Sequence, residues 1–220
     1  MKTDAASERG LQTRGESEDA IYTAAAALLR ERGARGVIAD VGCGIGRFRE
    51  FAADLIHDYV GIDVVRHPGL PPDLRFARAN LDHEPIPLAS GSIDVVVAIE
   101  TVEHLENPRA FVRELSRILK PGGWLVVTTP NQVSLLSLLS LVVKGRFVAF
   151  QDAYYPIHCT ALLPIDLLRI AADCRLSRGE LRFTASGRMP LTHVHYPGAL
   201  ARWFPRALSD NVLLVARKDD

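Results

Sequence analysis

Glu100, Glu103 and His104, in the stretch "IETVEHLENP", place two carboxylates and an imidazole at i, i+3 and i+4. On a helix these positions share one face. Carboxylate and imidazole donors together suit a divalent ion such as Mg²⁺, Mn²⁺ or Zn²⁺. A fourth donor is available from His158 in "YYPIHCT". An ion held this way would coordinate a hydroxyl and lower its pKa. The same residues allow metal-free chemistry, with Glu103 as a pocket carboxylate and His104 or His158 as the general base.

A second stretch, "VIADVGCGIGRF", sets Gly42, Gly44 and Gly46 at alternate positions behind an apolar run that ends at Asp40. So much backbone freedom directly after a strand means that something approaches the backbone closely there. A carboxylate 23 residues on, Asp63, closes the next apolar run and is placed to accept both hydroxyls of a ribose. A dinucleotide prefers Gly-x-Gly-x-x-Gly, and Arg47 stands where that pattern has its third glycine. Asp40 would face a pyrophosphate with like charge, whereas it favours a ligand carrying an ammonium group. S-adenosylmethionine carries an ammonium, a ribose and an adenine, and no phosphate.

The elements that must position these residues alternate along the chain. A helix is expected over 20–33, a strand at 36–42, a helix over 46–56, and strands at 59–65, 74–80 and 92–100. Asn107 and Pro108 open a further helix with a cap and a first-turn proline; Lys120 is expected in its last turn, and "PGG" ends it. "WLVVTTP" is a fifth strand, 164–174 a helix, and "RGELRFTAS" and "DNVLLVARK" two final strands. Strand and helix alternating from 37 to 129 mean a doubly wound, mostly parallel α/β sheet covered on both faces. Residues 1–15 read as a mobile tail, 16–218 as a single domain, and 131–163 as an insertion in it.

Composition narrows the partners. Lys plus Arg equals Asp plus Glu, 26 each, so nothing draws the chain to nucleic acid. Cys43, Cys159 and Cys174 are odd in number and form no Cys-x-x-Cys pair, which argues for a reducing, cytoplasmic setting. The polar N-terminal stretch has no signal-peptide core. The most apolar run, Val133 to Val143, is too short to span a bilayer. His193 and His195 alternate as on a strand and read as surface histidines.

With these residues in place, the chain resembles the class I S-adenosylmethionine-dependent methyltransferases over roughly 16–218. "ADVGCGIGRF" matches their first motif and "VGIDVV" the acidic end of their second strand. "FARANLDHEPIPLASGSIDVVVAIETVEHLENP" and "LSRILKPGGWLVVTTPN" match the segments that follow. The ordered set is far more specific than the glycine loop alone. The resemblance implies a seven-stranded, Rossmann-like fold. It also implies that Asp40, Gly42 and Gly44 line the methionine end of S-adenosylmethionine, that Asp63 holds the ribose, and that Asn80 and Leu81 flank the adenine. Asn80 departs from the aspartate often found in that family.

The Glu-x-x-Glu-His arrangement with a later histidine is similar to two metal-dependent groups, the ubiquinone-pathway O-methyltransferases and the small-RNA 3′-end 2′-O-methyltransferases. By that resemblance Glu100, Glu103, His104 and His158 would bind Mg²⁺ or Mn²⁺, and the acceptor would be a hydroxyl. Many methyltransferases carry a Glu-His pair at this place without metal. The apolar stretch 133–150 reads either as a lid packed on its own sheet or as a cover for an apolar or lipid-linked acceptor that touches a membrane surface. Its order with the following helix resembles, more loosely, bacterial methyltransferases acting on lipids, glycans or secondary metabolites. The expectation is therefore O-methylation of a small-molecule, lipid-linked or glycan hydroxyl. The alternatives are a nicotinamide-dependent oxidoreductase, an RNA 2′-O-methyltransferase and a catalytically silent cofactor-binding protein.

Overall fold

Helix α1 (Asp19–Glu31) turns an apolar face of Ile21, Ala25, Leu28 and Leu29 inward, at the spacing that a 3.6-residue period demands. It leads into β1 (Gly36–Val41), the short helix α2 (Phe48–Phe51), β2 (Ile56–Asp63), β3 (Arg75–Arg78) and β4 (Ile93–Ala98). A 3-10 turn (Val102–His104) and helix α3 (Pro108–Ile118) precede β5 (Leu119–Pro130). Helices α4 (Leu135–Lys144) and α5 (Pro164–Asp173), strand β6 (Leu176–Phe183), helix α6 (Gly198–Trp203) and strand β7 (Asn211–Lys218) complete the chain. This is a computed structural model that describes residues 15–220.

The strands form one seven-stranded sheet in the order β3-β2-β1-β4-β5-β7-β6. Neighbours from β3 to β5 pair parallel, whereas β7 runs antiparallel to both β5 and β6. Because side chains alternate across a strand, the sheet feeds two cores. Ile38, Val95 and Val97 pack against α1 and Phe48 on one face. Ala39, Val96 and Ala98 pack with Phe111 and Leu115 of α3 and Leu167 of α5 on the other. The strand order reverses between β1 and β4, and ligands of open α/β sheets lie at the carboxyl ends beside such a reversal.

Several boundaries differ from the sequence expectation. The helix expected over 46–56 stops at Phe51, because Ile56 already pairs with Gly36 as the start of β2. Lys120 is not in the last turn of α3. That helix ends at Ile118, and Lys120 lies on β5, where its ammonium meets Asp94 Oδ1 at 2.6 Å. Asp94 also accepts the Val37 N–H at 2.9 Å, so this pair ties the amino ends of three strands together. Asn107 caps α3 as expected, its Oδ1 accepting the Ala110 N–H at 3.0 Å. Of the tail expected over 1–15, residues 1–14 lie outside the described residues, while Gly15 packs on the glycine loop. Among the described residues no helix is long and apolar enough to cross a membrane.

Candidate active site

The loop behind β1 is built by hydrogen bonds to β2. Gly42 N–H and Cys43 N–H both donate to the Ile62 carbonyl, at 2.7 and 3.1 Å, and Gly44 N–H donates to Asp63 Oδ2 at 2.9 Å. The other Asp63 oxygen accepts the Val64 N–H at 2.7 Å. Glycine loop and acid are therefore one unit, and the carboxylate is oriented before any ligand arrives. Burial raises the Asp63 pKa, and the Gly44 amide opposes that rise. Gly42 has φ +80°, and a Cβ there would stand 2.2 Å from Thr101 Oγ1. The single Thr101 hydroxyl proton in turn lies between the Val41 and Ile99 carbonyls, at 3.1 and 3.2 Å.

Asp40 is buried at the end of β1 and accepts a short hydrogen bond from the Tyr59 hydroxyl. Burial pushes its carboxyl up to about 7, against the opposing effect of that hydrogen bond. Asn80 is also buried, its Oδ1 accepting the Asp82 N–H at 3.2 Å and its own N–H donating to Glu84 Oε2 at 2.7 Å. Asp40, Gly42, Asp63, Asn80 and Leu81 all line one cavity of about 410 Å³. That is an ordinary size for a small-molecule site. Gly44 is not among its lining residues and acts through the amide that holds Asp63. The cavity walls also include Tyr22, Thr101 and Asp82, which the sequence reading did not single out.

Glu100, Glu103, His104 and His158 line the same cavity. The expected helical face is corrected here. Glu100 sits beyond β4 with φ +48°, and only Val102–His104 forms a 3-10 turn, so Glu100 and Glu103 do not stack one helical turn apart. The carboxylate of Glu100 turns to β7 instead, where Asn211 Nδ2 donates to it at 2.5 Å. What gathers the other three is backbone pairing over a long separation. Cys159 and Thr160 N–H both donate to the Glu103 carbonyl at 3.0 Å, and His104 Nδ1 contacts the Ile157 carbonyl at 2.9 Å. His158 Nδ1 contacts the Ala149 carbonyl at 2.7 Å.

A carbonyl only accepts, so in both histidines Nδ1 carries a proton and Nε2 is the nitrogen left for other chemistry; in His158 the lowered pKa favours Nε2 as a lone pair. The two rings meet edge-on at 4.8 Å, and Tyr154 stacks on His158. Donor atoms of Glu103, His104 and His158 lie within 4.8 Å of one another, and Glu100 is not part of that group. Among the described residues, neither carboxylate oxygen of Glu103 has a hydrogen-bond partner, and both are buried. Thr129 lies near enough to offset this a little but makes no hydrogen bond of normal length. Burial pushes Glu103 up to about 8, and burial together with the Glu103 charge pushes Glu100 to about 8 as well. Burial and the neighbouring His104 lower the pKa of His158. A buried carboxylate with no hydrogen-bond partner among the described residues, beside two imidazoles whose Nδ1–H groups are held by carbonyls, is a donor set that fits a divalent cation.

A second cavity of about 180 Å³ adjoins the first and shares Glu100, Tyr154 and His158 with it. Its far wall is Leu136 and Ser137 of α4 with Arg188 and Asp210. His193 and His195 are exposed and outside both cavities.

A family model described as a methyltransferase domain matches residues 39–127, the span from the glycine loop to β5. A ubiquinone biosynthesis O-methyltransferase of Albidiferax ferrireducens is 32% identical over 193 residues, covering 83% of this chain and 73% of the relative. The chain belongs to the class I S-adenosylmethionine-dependent methyltransferases. Its fold is correspondingly close to an S-adenosylmethionine-dependent methyltransferase of Archaeoglobus fulgidus, with TM-score 0.63, 19% identity, and 90% and 94% of the two chains covered. A "probable S-adenosylmethionine-dependent methyltransferase" of Mycolicibacterium smegmatis is 33% identical over 100 residues, 44% of this chain, and the chain spans only 39% of that relative's length. Membership of this methyltransferase family sets aside the nicotinamide-dependent reading that the glycine loop alone had left open.

Proposed function

We propose that the protein transfers a methyl group from S-adenosylmethionine to a hydroxyl of a small-molecule, lipid-linked or glycan acceptor, with a Mg²⁺ or Mn²⁺ ion held by Glu103, His104 and His158. The observation that carries this reading is the buried Glu103 carboxylate, which among the described residues has no hydrogen-bond partner at either oxygen and lies with donor atoms of His104 and His158 within 4.8 Å of one another. Asp40, the glycine loop, Asp63, Asn80 and Leu81 would hold the cofactor, which fits a cavity lined by two carboxylates and an amide from these residues. The three free cysteines fit a reducing, cytoplasmic setting.

Methyl transfer is an in-line displacement: the acceptor oxygen forms the new C–O bond as the S–CH₃ bond breaks, and the hydroxyl proton must leave. The sulfonium is already activated, so the chain's task is to align the acceptor and favour its oxyanion. A bound divalent cation supplies Lewis acidity that lowers the pKa of a coordinated hydroxyl. Tyr154 and Phe150, packed around His158, fix the ring. The second cavity behind α4 gives the acceptor body somewhere to lie.

The test is Mn²⁺ binding by electron paramagnetic resonance with S-adenosylhomocysteine present. Wild type is expected to bind Mn²⁺, and Glu103→Gln to lose it while still binding S-adenosylhomocysteine. Absence of Mn²⁺ binding in the wild type would leave His158, neutral at physiological pH by its lowered pKa, as the base of a metal-free methyltransferase.

A further inference from the structure

We propose that the second cavity is the subsite for an uncharged saccharide, one of whose hydroxyls receives the methyl group. This inference rests on the reading that the acceptor of methyl transfer lies in that cavity. The cavity meets the first at Glu100, Tyr154 and His158. A molecule filling it therefore ends beside His158, whose donor atoms group with those of Glu103 and His104. A cavity for an apolar body is walled mainly by apolar side chains with a few polar ones among them. Here most wall residues carry polar side chains, and Asn131, Gln132, Ser134, Ser137 and Asn211 are buried.

The polar groups stand in donor–acceptor pairs. Asn211 Nδ2 donates to Glu100 Oε1 at 2.5 Å, and Arg188 donates from Nε and from its backbone N–H to Asp210 Oδ2, at 3.0 and 3.2 Å. Among the described residues nothing else takes Asn211 Oδ1, Asp210 Oδ1 or the terminal nitrogens of Arg188. A sugar hydroxyl donates and accepts at once, so adjacent hydroxyls on a ring match such pairs. An alkyl chain would displace water from the same groups and return no hydrogen bond. Tyr154, exposed and stacked on His158, offers the carbon face of the sugar ring an aromatic wall. Charge narrows the class further. Glu18, Glu100 and Asp210 stand against one cation, Arg188, so a carboxylated or phosphorylated acceptor would meet an excess of acidic groups. In the transfer the sugar oxygen bonds the methyl carbon, the S–C electron pair stays on sulfur as S-adenosylhomocysteine forms, and the hydroxyl proton passes to solvent.

The test is saturation-transfer NMR on the full chain with S-adenosylhomocysteine bound. The probes are the methyl glycosides of glucose, galactose, mannose and rhamnose, with the methyl glycoside of glucuronic acid and catechol for comparison. At least one neutral glycoside is expected to bind, about tenfold tighter than the glucuronic acid glycoside and than catechol. Arg188→Leu and Asn211→Ala should each weaken it by about tenfold. Neither residue lines the cofactor cavity, so unchanged S-adenosylhomocysteine binding verifies folding, and Arg188 is exposed. The proposal is overturned if no neutral glycoside binds the wild type, if catechol or the glucuronic acid glycoside binds as tightly, or if folded variants bind like the wild type. Methyl transfer is read separately, as S-adenosylhomocysteine formed from S-adenosylmethionine with the same compounds. Turnover of catechol without glycoside binding would remove the saccharide subsite and keep O-methyl transfer. Glycoside binding that depends on Arg188, with no turnover of any compound, would keep the subsite and count against the acceptor reading.

Discussion

Gly15 and Gly44 pack backbone on backbone. A Cβ on Gly44 would stand 2.2 Å from the Gly15 carbonyl oxygen, and a Cβ on Gly15 would stand 2.2 Å from Gly44 Cα. The same contact places the Gly15 carbonyl 3.4 Å from the Ile45 N–H. Arg47 reinforces it by pairing with Asp19 at 2.7 Å and with Glu16 at 3.7 Å. Gly15, Glu16 and Ser17 thereby become part of the cofactor cavity wall.

The contact predicts that Gly15→Ala weakens cofactor binding although it leaves the glycine loop's own sequence intact. The added methyl group must push residues 15–17 off the loop, and φ +62° adds strain of about 1 kcal/mol. S-adenosylhomocysteine affinity by titration calorimetry is expected to fall about tenfold in Gly15→Ala, and as far or further in Gly44→Ala. Arg47→Ala should cost less, because exposed ion pairs contribute about 0–1 kcal/mol. Unchanged affinity in Gly15→Ala would mean that the segment does not help hold the ligand.

Asp40 predicts a pH dependence of stability. Its carboxyl rises from the ordinary 3.8 to about 7 because it is buried. Between these values the folded state keeps a proton that the unfolded state has lost. Its contribution to stability is therefore complete below about pH 4 and is lost as pH rises through about 7, with a slope of at most about 1.4 kcal/mol per pH unit. Asp40→Asn should flatten the fall of Tm with pH across this range. Glu100 and Glu103 act with the same sign up to about 8, so part of the slope should persist in the variant. A profile unchanged by Asp40→Asn would show that Asp40 is ionised in the free protein.

The same group predicts the pH dependence of the cofactor. An ammonium beside Asp40 favours the ionised carboxylate, so S-adenosylhomocysteine affinity should rise with pH up to about 7 and then level, by at most about tenfold per unit. Tyr59→Phe removes the hydroxyl that lowers the Asp40 pKa and should move that levelling point to higher pH. A binding curve flat from pH 5 to 8, measured by calorimetry, would separate Asp40 from the cofactor's ammonium.

Sequence reading reached Asp40 but not Tyr59, and the reason is register. An acid at the end of an apolar run before alternating glycines identifies itself locally. Its partner depends on the parallel pairing that sets Asp40 opposite Gly61 and so brings Tyr59, two residues earlier on the same strand, within reach of the carboxylate. A usable signal was present, since Tyr59, Gly61 and Asp63 alternate onto one face of β2. The Glu-His site divided in the same way. Glu103, His104 and His158 do come together, although the link is made by backbone amides 56 and 57 residues from Glu103 and not by a helical face. Glu100 left the group because its positive φ turns it to Asn211, a contact that no local spacing encodes. The sheet itself was legible because alternation and buried strands are local properties, while helix ends failed where strand pairing overrode propensity, as at Phe51 and Lys120.

Asn131 predicts how α4 and α6 are held. Its Nδ2 donates to the Arg206 and Ser209 carbonyls at 2.8 and 2.9 Å, and its Oδ1 accepts the Val133 N–H at 3.2 Å. One buried amide thus ties the start of the apolar segment to the turn behind α6. Asn131→Ala removes all three bonds and strips donors from carbonyls that lie next to the core, a cost of about 2–4 kcal/mol. Asn131→Asp keeps the acceptor but sets a carboxylate against two carbonyl oxygens, and should be at least as harmful. Urea denaturation should report the loss as a lower midpoint with the slope nearly unchanged. Because the cofactor cavity does not include Asn131, S-adenosylhomocysteine affinity should hold in the folded fraction. Methylation of an acceptor lying in the second cavity, which Asn131 lines, should fall. A variant as stable as the wild type would mean that strand β7 and the chain behind α6 hold α4 without this amide.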